Sequence, residues 1–333
     1  MHKRKGCDLI RVLFLLALCT AAFAQDYDLD LDNGGVHVGI HCGAYGGAIT
    51  YLSKSGETRN LINLHDKGRE VQQSYYAGKA LDRREEGQSK AWSPWPWNPI
   101  QVGDAYGNCS RVVDSRRTEK ELYVKTIPLL WDMKNEFGEC YFETWITLEG
   151  NSVHVRNRLT SHRTDDKWPA VPSHQELPAV YTIGDLSNLY TYVGDAPFTK
   201  GPLTRIVNNG PPWEHWGPGA KKPELAKPHE KWAANVDENS WGVGVYNGKT
   251  EMFVGGFHDK PGGDAHRNST GYISPLHTET LDKGTVYDYE YDLIVGTLEE
   301  IRAFAYKREG HNYSGDGGSK PSEAEAAAKR AGK

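Results

Sequence analysis

The sequence holds 333 residues, 39 of them Lys or Arg and 44 Asp or Glu, for a formal net charge of -5. The basic residues are scattered rather than clustered, which excludes an electrostatic footprint for nucleic acid or for an anionic membrane. A chain of this length can bury a substantial core without disulfide staples.

Residues 1–24 join a basic start, MHKRK, to an apolar run, LIRVLFLLALCTAA, and to the small-x-small triplet Ala22-Phe23-Ala24. This is the pattern of a secretory signal peptide cut before Gln25, so the mature chain is expected to be secreted and extracellular. The apolar run is shorter than the roughly 20 residues of a membrane-spanning helix. No membrane association is expected after cleavage.

From Val36 onward, short alternating or β-branched runs succeed one another with turn residues between them. They are VHVGIH, AITYLS, ELYVKTIPLLW, CYFETWITL and SVHVRNRLT, then WGVGVY, EMFVGGF and VYDYEYDLIVG. In CYFETWITL, Tyr141, Glu143, Trp145 and Thr147 fall on one face, and Phe142, Thr144, Ile146 and Leu148 on the other, which is the period of a strand. With 36 glycines and 17 prolines to supply turns, an all-β fold is expected, a large antiparallel β-sandwich forming one domain over residues 25–312. The segment Pro211 to Trp232 is rich in proline and tryptophan and is expected to be irregular, and functional or mobile. LEEIRAFAYKRE predicts a short helix. Residues 313–333 are expected to be a frayed tail.

Cys42, Cys109 and Cys140 remain after the signal, an odd count that allows at most one internal bridge. Asn108, Asn268 and Asn312 head glycosylation sequons. No cofactor is expected. A metal site would need His174 and Glu176 to be joined by a distant His215, His258 or His277, which no spacing dictates. No Gly-x-Ser-x-Gly elbow is present.

Three groups of residues could carry chemistry. Tryptophans cluster in WSPWPWNP (Trp92, Trp95, Trp97) and PPWEHWGP (Trp213, Trp216), where amphipathic rings suit a sugar-binding cleft as well as a core plug. In NLINLHDKGREVQQSYY, an extended backbone puts Arg69, Val71, Gln73 and Tyr75 on one face and Glu70, Gln72, Ser74 and Tyr76 on the other. Arg69 supplies planar donors, and Gln73, Tyr75, Trp97, Asn98 and Trp213 complete the expected substrate-binding set. In VPSHQELPAVYT, His174 and Glu176 lie two apart between Pro172 and Pro178, so an extended segment would turn both proton-transfer groups to one side and Gln175 to the other.

Asn63, the Gly68-Arg69 dipeptide, the histidine in SHQELP and the all-β length together resemble the galactose mutarotase-like superfamily. That resemblance implies a β-supersandwich whose concave face binds sugar, with a histidine as general acid and a glutamate as general base. By resemblance His174 would be the histidine, and Glu176 or Glu279 the glutamate. EVQQSYY and WSPWPWNP depart from the epimerase pattern. The expected function is that of a carbohydrate-active protein acting on an oligo- or polysaccharide. Hydrolysis would pair Glu176 with Glu279 or Glu214. Elimination would use His174 or a tyrosine as base, with Arg69 offsetting a uronate charge. Epimerisation needs only one acid and one base. A non-catalytic carbohydrate-binding protein or a structural extracellular protein are the alternatives from other classes.

Overall fold

The computed structural model describes residues 26–313. The expected signal segment, and the tail from residue 314 onward, lie outside the described residues. Two large sheets face each other. The first, ten-stranded, runs in the order Leu29–Asp32, Val36–His41, Ala48–Lys54, Val71–Ser74, Ser173–Ile183, Thr270–Glu279, Met252–His258, Glu214–Trp216, with Pro99–Ile100 and Leu129–Leu130 attached beside Val71–Ser74. The second, nine-stranded, runs Thr204–Ile206, Asn188–Val193, His229–Val236, Trp241–Tyr246, Val286–Thr297, Ser152–Ser161, Cys140–Glu149, Leu122–Ile127, Arg111–Arg117. Neighbouring strands pair antiparallel throughout, as in Cys140–Glu149 against Ser152–Ser161. The chain thus forms the expected antiparallel β-sandwich.

The alternation of polarity drives this packing. In Cys140–Glu149 the residues Phe142, Thr144 and Ile146 are buried, while Tyr141, Glu143 and Trp145 on the other face are only half-buried. Val38, Ile40, Leu52 and Val71 of the first sheet, with Tyr75 just beyond its strand Val71–Ser74, meet Phe142, Ile146, Val155 and Leu293 of the second in one core. Each such side chain contributes roughly 1.5–3 kcal/mol when fully buried.

The expected helix is Leu298–Arg308, and it starts with a capping box in which Thr297 accepts from the Glu300 N–H and Glu300 answers the Thr297 N–H. Its buried residues Ile301 and Ala305 lie on the outside of the second sheet against Trp232, Ala234 and Ile294. Gly244 permits the approach, since a Cβ there would sit 2.3 Å from Ile301. Glu230, with no exposed surface, accepts from Arg302 at 2.8 Å, from the Tyr306 hydroxyl at 2.9 Å and from Trp232 Nε1 at 3.1 Å. The helix thus lies over the strands His229–Val236, Trp241–Tyr246 and Val286–Thr297 of the second sheet, away from the first sheet.

Cys42, Cys109 and Cys140 are all free thiols. Among the described residues, no helix is long and apolar enough to cross a membrane.

Candidate functional site

The strand Ser173–Ile183 lies between Val71–Ser74 and Thr270–Glu279 in the middle of the first sheet. Glu176 is in register with Ser74 on one side and Leu276 on the other. A register shift between Glu176 and Ala179 then changes the parity of the strand. As a result His174, Glu176, Ala179 and Tyr181 all belong to the outer face, where Ala179, Met252, Val254, Tyr272 and Leu276 form an apolar floor with Tyr181 and Trp213 packed on it. The shift occurs at Pro178, which cannot donate to the ladder.

Glu176 is the chemical centre of this face. The Tyr272 hydroxyl donates to its Oε1 at 2.6 Å, and the Tyr76 hydroxyl reaches its Oε2 at 3.3 Å. Tyr76 is itself fixed by Gln175, whose carboxamide accepts from the Tyr76 N–H and donates to the Tyr76 carbonyl, both at 2.8 Å. Rings extend from both phenols. Tyr181 stacks on Tyr272 at 4.6 Å, and Trp213 leans on Tyr272 at 5.1 Å. On the other flank Tyr76 meets Trp95 at 6.2 Å, Trp95 meets Trp92 at 5.0 Å, and Trp92 meets Trp131 at 5.6 Å.

Burial raises the Glu176 carboxyl above its ordinary range, opposed by the hydrogen bonds from Tyr272, Tyr76 and Ser74 that favour the ionised form. Burial and the adjacent Glu176 push both Tyr76 and Tyr272 well above the normal phenol value, so both stay protonated donors. At the edge of the face, burial and then the nearby His174 lower the His215 imidazole, which is therefore a neutral acceptor near pH 7. His174 itself is exposed.

At the other end Arg69 is locked rather than free. It donates to the Asn268 carbonyl at 2.6 Å and to Asn268 Oδ1 at 2.8 Å, and its Nε lies 3.0 Å from Asp66. Asn268 Nδ2 in turn faces His258 at 3.3 Å and Asp259 at 3.4 Å. Next to Arg69, Glu70 is fully buried in a left-handed backbone conformation (φ 48°), and neither carboxylate oxygen has a partner of good geometry. Burial, helped by Asp66, drives that carboxyl well above the usual range.

The structure thus brings His174, Glu176 and Trp213 together on one face, with Arg69 at its rim. It separates the other expected site residues. Gln73 points between the sheets, donating to Thr144 Oγ1 at 2.8 Å and accepting from the Tyr75 hydroxyl at 2.8 Å. Tyr75 is a core residue with its ring 5.1 Å from Phe142. Trp97 is 2% exposed, and its indole N–H donates to the Gly138 carbonyl. None of these three lines the cleft, because Val71, Gln73 and Tyr75 occupy the inward face of their segment. Asn98 is buried too, holding the Tyr75 carbonyl at 2.8 Å and accepting from Trp95 Nε1 at 3.0 Å, so it positions Trp95 and does not itself bind. Glu279 has the opposite parity from Leu276 and Thr278 and stands beside His277 at 3.3 Å and Tyr287 of the facing sheet. It does not share a face with Glu176.

Tyr272 and Tyr181 were not singled out by sequence reasoning. The sequence carries no signal for them, since they become direct partners only through the register of the two strands. Among the described residues, no group of three or more His, Cys, Asp or Glu side chains is placed to hold a metal ion.

No protein-family model matches the sequence, and no curated protein matches it significantly. Solved structures do match. A galactose mutarotase-like protein from Lactobacillus casei aligns with a TM-score of 0.45 at 10% identity, over 80% of this chain and 99% of its own. A galactose mutarotase related enzyme from Lactobacillus acidophilus gives 0.44 at 9% identity, over 80% of this chain and 97% of its own. The GH36 alpha-galactosidase from Geobacillus stearothermophilus, in complex with stachyose, gives 0.48 at 12% identity, over 84% of this chain and 42% of the enzyme. This chain therefore spans less than half of that enzyme's length. The chemistry of the site rests on this chain's own side chains.

Proposed function

We propose that this is a secreted carbohydrate-active enzyme that works on a glycan by proton transfer at Glu176. The observation that carries the reading is one carboxyl group with a raised pKa, held between two protonated phenols on an aromatic sheet face. The rings supply flat apolar surface for sugar C–H faces, and the carboxyl, the phenols and the neutral imidazole of His215 supply proton donors and acceptors. His174 adds a second imidazole on the same face.

Of the reactions open to such a site, elimination is favoured over hydrolysis by a carboxylate pair. Hydrolysis needs two carboxyl groups flanking the scissile bond. Glu279 is turned to the other side of the sheet, and Glu214 is held by Lys222. In an elimination, His215 or Glu176 accepts the proton alpha to a uronate carboxylate, the electron pair left on that carbon forms a double bond to the neighbouring carbon as its bond to the leaving oxygen breaks, and a phenol or imidazole gives a proton to that oxygen.

A non-catalytic glycan-binding role is the second reading, and the capping of both Glu176 oxygens by tyrosine donors favours it. One experiment separates these readings. The purified protein and its Glu176→Gln variant are incubated with neutral and uronate polysaccharides while reducing ends and unsaturated-uronate absorbance are followed. Both signals rising in the wild type and neither in Glu176→Gln supports elimination. Reducing ends without absorbance mean hydrolysis, and binding without either signal leaves the non-catalytic role.

A further inference from the structure

We infer that the Glu176 face binds a glycan chain that passes over the carboxyl group with sugar residues on both flanks, so that it engages internal positions of a polymer and not a free monosaccharide or a chain end. The inference rests on the carbohydrate reading above and deepens it.

The order of strands sets aromatic rings on both sides of Glu176. Ser173–Ile183 lies between Val71–Ser74 and Thr270–Glu279, so the segment after Ser74 is on one side of the carboxyl group and Thr270–Glu279 with its outer neighbours is on the other. Tyr76, Trp95 and Trp92 form one arm in steps of 6.2 and 5.0 Å, while on the other side Tyr272 is buried, 1% exposed, and carries at 5.1 Å the half-buried Trp213, the ring that this side presents. Each arm ends on its own oxygen of the one carboxyl group, Tyr76 on Oε2 and Tyr272 on Oε1. The reacting group is thus the midpoint of a run of rings, where a monosaccharide pocket would have it at a closed end.

The accessibility of these rings agrees. Tyr76, Trp92, Trp95 and Trp213 are each half-buried and His174 is exposed, so these rings, and not the buried Tyr272, are the surface a sugar can reach. Trp95 is held by Asn98 through its indole N–H, and Tyr76 by Gln175 through its backbone. A side chain whose polar edge is tied from below presents a fixed ring above, which lowers the ordering cost of stacking a sugar. Two such arms serve a chain, and a single sugar ring would use only one.

Calorimetric titration of the Glu176→Gln protein with cello-, xylo- and galacturonic acid oligomers, from monomer to hexamer, tests this. The same titrations are run after adding Trp95→Ala or Trp213→Ala, with circular dichroism as the check on folding. In the series that binds, Kd is expected to fall about tenfold or more from monomer to hexamer, and each tryptophan replacement is expected to weaken the hexamer about tenfold. Equal binding of monomer and hexamer overturns the inference and leaves the proposed function standing. Loss from only one of the two replacements also overturns it, because the sugar then extends over one flank alone. Failure of all three series to bind overturns both.

Discussion

Gln175 grips Tyr76 at both backbone atoms, 2.8 Å to its N–H and 2.8 Å to its carbonyl, although the two residues lie 99 positions apart in the chain. Gln175 is fully buried on the side of its strand opposite Glu176. One short segment therefore presents a carboxyl group from one face and, from the other, anchors the phenol that caps it. Replacing Gln175 by Leu leaves the Tyr76 N–H and carbonyl without that partner, and the expected cost is about 1–3 kcal/mol. Denaturant unfolding checks the stability. Because Tyr76 loses its anchor, glycan turnover or binding should fall further than the loss of folded protein accounts for.

Tyr272→Phe probes the electrostatics. The hydrogen bond from Tyr272 favours the ionised form of Glu176 and works against the burial that raises its pKa. Without it the carboxyl pKa rises further. Activity that needs ionised Glu176 should then show its acid limb displaced to higher pH, while activity that needs the protonated form should extend to higher pH. A pH profile of kcat/KM for wild type and variant reads the direction. An unchanged profile would mean that Glu176 does not titrate in the reaction.

Glu70 is expected to make stability depend on pH. Its folded-state pKa is raised, so the native state holds a proton that the unfolded chain releases above about pH 4.3. Stability from this group is complete below that value and is lost as pH rises toward the folded pKa. Glu70→Gln, which imitates the protonated carboxyl, should gain about 1–3 kcal/mol over wild type at neutral pH and nothing near pH 4. Paired urea titrations at the two pH values measure it.

Trp97 and Trp213 should behave as opposites. Trp97→Ala empties a core position and is expected to cost about 3–5 kcal/mol. Trp213→Ala removes a half-buried ring on the outer face and should cost much less, with its effect seen in glycan binding. Thermal unfolding and a binding titration on the two variants distinguish core from cleft.

The strand pattern was legible because polarity alternates wherever one face is buried, as in Phe142, Thr144 and Ile146 against Tyr141, Glu143 and Trp145. The same alternation placed His174 and Glu176 on one side and Gln175 on the other. It failed at Gln73 and Tyr75, because both faces of that segment are polar and nothing in the residues says which one meets the facing sheet. The buried polar groups there satisfy each other, Tyr75 donating to Gln73 and Gln73 to Thr144. Glu279 was misplaced for a different reason. Its parity relative to Leu276 comes from counting, but that Leu276 faces Glu176 is known only from the register of the two strands. The same holds for Tyr272, whose hydroxyl reaches Glu176 from a residue 96 positions away.

The Asn268 side chain links Arg69 to His258 and Asp259, and Asn268 also heads the sequon Asn268-Ser269-Thr270. Its amide nitrogen is therefore already committed within the folded protein. A eukaryotic expression host can attach an oligosaccharide to that nitrogen before the strands close, and the protein would then mature with the Arg69 end of the face altered. Material from a bacterial host keeps the native contact. The choice of host thus sets the integrity of the site before any variant is made.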